Sequence, residues 1–179
     1  MLIRFLALLL ISVPSFAQDV KTFIPPNAYT HLPSLIKEID TFWSDIPFIA
    51  YPAALIEHES CAGLKNPKCW NLRSQLKTSR EEGAGLGQIT RAYHPNGNLR
   101  FDSLEEAKRL HPSLQEANWS NIYSRSDLQM RAMVLKLKKE HKTILETGSV
   151  ETMAMLDAGY NGGLYGLLKE RTACGLKEN

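Results

Sequence analysis

Beyond its first residues the chain has no apolar run near the roughly 20 residues that a membrane-spanning helix requires, no repeated unit and no low-complexity tract. Charge of one sign is not in surplus either: 21 Lys and Arg stand against 19 Asp and Glu, a formal net of +2. A nucleic-acid binder would show a stronger basic excess or a basic stripe, so no nucleic-acid partner is expected. The densest basic run, KLKKEHK at residues 136–142, sits in a helical pattern and reads as a solvated helix face. Cysteine is scarce, with three in 179 residues. No paired His or Cys-x-x-Cys element is present, so neither a structural metal nor another cofactor is expected.

The opening MLIRFLALLLISVPSFAQ combines one early Arg, an apolar run and small residues spaced like a cleavage site. It reads as a secretory signal peptide over residues 1–17. Its removal takes away one basic group and no acid, so the near balance of charge persists. The expected product is a single exported domain over residues 18–179, long enough for a real core, with no stable membrane span. In an oxidising compartment Cys61 and Cys69, separated by turn-forming NPK, suggest a disulfide. Closing so short a loop would contribute about 2 to 3 kcal/mol. The rival use of the same residues is a metal site of His58, Cys61 and Cys69. Cys174 is left over near the C-terminus.

Apolar periodicity predicts helices nearly everywhere and strands almost nowhere. Residues 32–43 place Leu32, Leu35, Ile36, Ile39, Phe42 and Trp43 on one stripe. A second helix begins near Pro52, a residue tolerated in a first turn. Residues 62–87 read as loop with short helical or hairpin pieces. Further helices are expected at about 89–93, 103–110, 126–146 and 150–158, the long one with Leu128, Ala132 and Leu135 on one side. The glycines of GYNGG then break the pattern before a last helix at about 164–171. The expected fold class is mainly α.

The second helix carries the chemistry-bearing string LIEHESC, residues 55–61. Advancing about 100° per residue places Glu59 about 40° from Leu55, between the Leu55 and Ile56 side chains, and turns Glu57 nearly opposite. An acid held against apolar packing is desolvated and keeps its proton to higher pH, as a general acid must. A cap or ion pair at the helix end is the bland alternative for the same residue.

Three segments in order, EHES, GAGLGQIT at 83–90 and AGYNGG at 158–163, resemble the lytic transglycosylase family, the lysozyme-like domains that cleave peptidoglycan. The resemblance spans about residues 36–163. It implies a lysozyme-like fold, Glu59 as the catalytic acid, and Ser60 beside it supporting substrate or acid. Gly87, Gln88 and Ile89 would line the groove, and Tyr160 and Asn161 its far side. It further implies cleavage of the bond between N-acetylmuramic acid and N-acetylglucosamine with formation of a 1,6-anhydro sugar. One carboxyl suffices for that reaction, whereas ordinary glycosidases use two. The partner would be peptidoglycan glycan strands in the periplasm or wall space, and machinery that crosses the wall, as in secretion, conjugation or phage entry, would be consistent with it. Gly87 stands where the family commonly has Met and Gly159 where it has Ala, both expected to open the groove, and the interval from Glu59 to Gly85 is long. The alternatives are a lysozyme-type hydrolase using Asp127, Asp157 or Glu82 to activate water, with Glu81 a further nearby acid, and a noncatalytic glycan-binding module of wall assembly.

Overall fold

The computed structural model describes residues 24–61, 63, 66–146 and 153–173. The signal peptide expected over residues 1–17, the start of the mature chain and Cys174 lie outside the described residues. The order is α1 (Pro26–Phe42), α2 (Tyr51–Ser60), β1 (Gln75–Lys77), β2 (Glu81–Ala84), β3 (Ile89–Tyr93), β4 (Leu99–Asp102), α3 (Ser103–Lys108), two short 3₁₀ turns, α4 (Ser126–Glu146), α5 (Met153–Gly162) and α6 (Leu164–Ala173). The described chain is mainly α, with one small antiparallel meander of strand order 1-2-3-4. No helix among the described residues is long and apolar enough to cross a membrane.

The sheet corrects one expectation. Residues 89–93 form a strand, not a helix, paired with β2 through Gly83 and Thr90 and with β4 through Arg91 and Asp102. Ile89 and Ala92 mimic helical spacing because β3 is an inner strand, with a register shift between Ala92 and Tyr93, so buried residues appear on both of its faces. Its β-branched and aromatic side chains suit a pleated surface. The segment read as loop with short helical or hairpin pieces contains the antiparallel pair β1 and β2, and β1 is three exposed residues with no alternation to detect. At the end of β4 the Asp102 carboxylate accepts from the Leu104 and Glu105 amides (2.9 and 3.1 Å) and from Trp119 Nε1 (2.8 Å). One side chain thereby ends a strand and caps a helix.

Helix α4 is the axis of the molecule. Met130, Met133, Val134 and Leu137 enter one apolar cluster with Leu35, Ile39, Leu55, Ile56, Trp70 and Leu86. Leu128, Ala132 and Leu135 enter another with Ala84, Ile89, Leu104, Leu114 and Ile122. A helix apolar on two sides is buried on two sides. Helix α1 begins earlier than its periodicity suggested and carries Pro33 inside it; Ile36, assigned to its apolar stripe, is instead 48 % exposed.

A bidentate ion pair ties α1 to α4. Arg131 donates from Nε and Nη2 to Glu38 (2.8 and 2.9 Å), reaches the Ser113 carbonyl at 3.3 Å, and lies over the Phe42 ring. Glu38 is buried, and its charge has lost water on the understanding that arginine replaces it. Arg131→Met should therefore destabilise the fold by about 3–5 kcal/mol, because it leaves a buried carboxylate without its partner. The double variant Glu38→Leu/Arg131→Met should recover most of that loss. Urea unfolding of the two variants against wild type checks this, and equal losses would contradict it.

Candidate active site

Helix α2 has Pro52 in its first turn and buries Leu55 and Ile56, which sets Glu59 half-buried in its last turn while His58 is exposed. Burial pushes the Glu59 carboxyl above the ordinary carboxylate range; nearby Asp157 adds to the rise, while His58 and Lys136 oppose it. A helix C-terminus also carries partial negative charge, which disfavours a carboxylate there.

Ser60, next in the chain, is buried and faces inward. Its hydroxyl donates to the Ile56 carbonyl at 2.6 Å and accepts from the Trp70 amide at 3.1 Å. A disulfide joins Cys61 and Cys69, which takes two of the three donors from the alternative metal set with His58. Asn27 Nδ2 donates to the Pro67 and Cys69 carbonyls (3.1 and 2.9 Å), fastening the stapled loop to α1.

The glycine-rich segment forms a tight turn between β2 and β3. Gly85 has φ +73°, and any side chain there would collide with the Gln129 amide. Gln129 is 1 % exposed. Its Oε1 accepts from the Leu86 amide at 2.8 Å, and its Nε2 donates to the Leu72 and Ile122 carbonyls (2.8 and 2.6 Å). Gln88 also takes a left-handed φ of 43° and folds its Nε2 back to the Gly85 carbonyl at 2.9 Å.

Gly87 does not open empty space. Tyr160, from α5, donates its hydroxyl to the Gly87 carbonyl at 2.5 Å, and a Cβ at position 87 would sit 2.9 Å from that hydroxyl and 3.1 Å from the Met133 sulfur. Burial raises the Tyr160 hydroxyl well above its ordinary range, and the charges of Glu59 and Glu140 raise it further. Tyr160 is thus a neutral phenol whose proton is committed to a carbonyl; its oxygen is left to accept a hydrogen bond. Helix α5 runs through Gly162, so GYNG still belongs to a helix, and the expected break before the last helix falls on Gly163 alone, at φ +76°, with α6 starting at Leu164. Asn161 returns its Nδ2 to the Asp157 carbonyl at 3.1 Å, and Asp157 accepts from the Tyr51 hydroxyl at 3.4 Å.

A groove of about 580 Å³ opens beside this cluster. Gln88 and Ile89 line it from the sheet side, Met133, Lys136 and Glu140 from α4, and Tyr160 and Asn161 from α5. Glu59 is not in the lining; Tyr160 connects the two, lining the groove while its hydroxyl responds to the Glu59 charge. Gln88, Ile89, Tyr160 and Asn161 are therefore brought to one groove, with Gly87 behind Tyr160, whereas Ser60 is turned into the protein.

The competing carboxylates are in other circumstances. Glu82, 8 % exposed, receives Arg91 (2.6 and 3.0 Å), Tyr123 (2.8 Å) and Gln75 (3.2 Å). Burial alone would raise it, but the Arg91 and Tyr123 hydrogen bonds outweigh burial and hold it below its ordinary range. Asp127 is lowered by its hydrogen bonds to Arg125 (2.8 and 2.9 Å). Asp157 is the one of the three whose charge reaches Glu59. Gln129, Lys136 and Tyr51 were not singled out by sequence pattern: the first sits in an apolar helix run, the second in a basic one, and the third opens a helix.

Comparison of the chain with protein-family models, curated proteins and solved structures finds no match. The functional reading therefore rests on the residues and their geometry.

Gly87→Ala should cost about 1–3 kcal/mol of stability, because the new methyl must displace the Tyr160 hydroxyl or Met133. Gly85→Ala should cost more, since it adds left-handed strain to a collision with a buried amide. Thermal unfolding of both variants measures the order, and a Gly87→Ala protein as stable as wild type would show that Tyr160 does not occupy that space.

Proposed function

We propose that the protein is an exported peptidoglycan lytic transglycosylase on a lysozyme-like fold, with Glu59 as its single acid and base. The observation that carries this reading is Glu59 itself, a carboxyl that burial pushes above the ordinary carboxylate range and whose charge is felt at Tyr160, while Glu82 and Asp127 are bound to arginines. The order of the EHES, GAGLGQIT and AGYNGG segments agrees with it, as does a disulfide suited to an oxidising compartment.

In the proposed reaction the glycan strand occupies the groove, with the bond between N-acetylmuramic acid and N-acetylglucosamine presented at its Tyr160 wall, on which the Glu59 charge acts. Glu59 gives its proton to the glycosidic oxygen as that bond breaks. The C6 hydroxyl of the muramic residue attacks the anomeric carbon, and Glu59, now a carboxylate, accepts the hydroxyl proton. The attack is intramolecular and gains from proximity. Tyr160, whose proton is held by the Gly87 carbonyl, can accept a hydrogen bond from a sugar hydroxyl in the groove and so orient it.

Asp157 supports a second reading, a hydrolase in which it orients water against the sugar, because its charge is felt at Glu59. The two differ in product. Mass spectrometry of digested peptidoglycan should find anhydro-muropeptides, and reducing-end products alone would favour hydrolysis. Glu59→Gln should lower turnover by about 10²–10⁴-fold, and an unchanged rate in that variant would remove Glu59 from the chemistry.

The pH dependence follows from the sign of the shift. The free enzyme acts with Glu59 protonated, so kcat/KM should fall as pH rises through the raised midpoint of that group. A pH profile on soluble glycan fragments measures this, and a rate that climbs over the same range would contradict the assignment.

A further inference from the structure

Lys136 belongs to the basic run expected to be a solvated helix face, and the run divides. Lys138, Lys139 and Lys142 are exposed, with Lys138 on the Phe42 carbonyl at 2.7 Å and Lys142 near Glu146 at 3.5 Å. Lys136 turns the other way. Its ammonium lies 2.7 Å from Glu140 Oε1 and 4.1 Å from the centroid of the Tyr160 ring.

A lysine at this position could carry its head to water along its own stem. The i,i+4 order here, Lys before Glu, is also the less favourable one on an isolated helix. What holds the ammonium inward is Glu140, 6 % exposed, whose other oxygen has no hydrogen-bond partner among the described residues. Burial raises the Glu140 carboxyl, and Lys136 opposes that rise. A buried acid and an aromatic face together fix this cation at the groove, which exposed Lys139 also lines.

We infer that Lys136, anchored by Glu140, is a positioning residue of the site: it seats the Tyr160 ring and presents a fixed positive charge toward Glu59. The inference rests on the reading of Glu59 as the acid. In that reaction Glu59 becomes a carboxylate when it gives up its proton. A cation already in place lowers the cost of that charge without having to reorganise. The charged groups facing Glu59 are His58 on its own helix, Asp157 from α5 and Lys136 from α4. Of the two cations, His58 is exposed and Lys136 is held by its partners.

The test separates position from mere stability. Carboxyl carbons of ¹³C-labelled glutamate are titrated by NMR in wild type and Lys136→Met, with Glu59→Gln assigning the Glu59 signal. Loss of the cation should move the Glu59 midpoint upward, and the alkaline limb of kcat/KM should move with it. The maximal rate should fall about tenfold or more as Tyr160 loses its seat. Lys136→Arg, which keeps the charge, should hold the midpoint near wild type and restore most of the rate. Lys136→Gln, which keeps a donor to Glu140, should show the same upward shift and stands in where the methionine variant does not fold. A Glu59 midpoint unchanged in the neutral variants would overturn the inference. The NMR titration needs no turnover, so it succeeds or fails independently of whether Glu59 is the catalytic acid.

Discussion

The Gln129 side-chain amide is the joint on which the site is built. Buried in the first turn of α4, it can be satisfied only by fixed partners, and it finds them in the Leu86 amide and the Leu72 and Ile122 carbonyls. Removing a buried partner of this kind strands polar groups at about 1–3 kcal/mol each, so the segments it touches have little freedom to drift. The consequence reaches the groove in two steps. The turn from Gly85 to Gln88 is set against α4, which places the Gly87 carbonyl, and that carbonyl accepts the Tyr160 hydroxyl and holds α5 to the same helix. Position thus passes through hydrogen bonds that each have one geometry.

The carboxylates divide by whether arginine reaches them. Glu38, Glu82 and Asp127 are each met by two guanidinium donors, and they act as struts between elements. Glu59 and Glu140 have burial without arginine, and both are pushed upward. Linkage gives the two groups opposite signs. Glu82 and Asp127, lowered in the fold, contribute stability above their ordinary values that is lost as pH falls through the lowered ones. Glu59 and Glu140, raised in the fold, cost stability as pH rises from ordinary values through the raised ones. The same separation that sorts struts from reactive groups confines best stability to the interval between them.

Much of this was legible where one physical factor dominated. Helix α4 spans the expected residues because its apolar positions recur over many turns, and the Cys61–Cys69 link follows from a short turn-forming loop. Helical phase predicted an acid that is shielded from water, and Glu59 is half-buried. Reading failed where burial came from distant segments. Strand β3 shows helical spacing because other strands cover it, and β1 has no pattern of its own. Ser60 was matched to a substrate role by its place beside the acid, but its hydroxyl is engaged by Ile56 and Trp70. Lys136 looked like its solvated neighbours because the groups that turn it inward, Tyr160 on another helix and a buried Glu140 one turn on, give no local signal.

The placement of Glu59 also explains why its helix is so firmly closed. An acid in a last helical turn opposes the helix dipole, and a half-buried one opposes its own ionisation; both weaken the element that carries it. The compensation stands immediately after it. Ser60 binds its own helix and the Trp70 amide, the disulfide closes the loop from Cys61 to Cys69, and Asn27 ties that loop to α1. Trp70 is buried with a left-handed φ of 55°, a conformation a bulky residue keeps only when its surroundings over-determine it. A helix end free to fray would let water reach the carboxyl and return it to its ordinary range. Closure of the α2 terminus and the raised range of the Glu59 carboxyl therefore go together, and the residues that close it lie in the eleven positions from Ser60 to Trp70 that follow the acid, with Asn27 across from them.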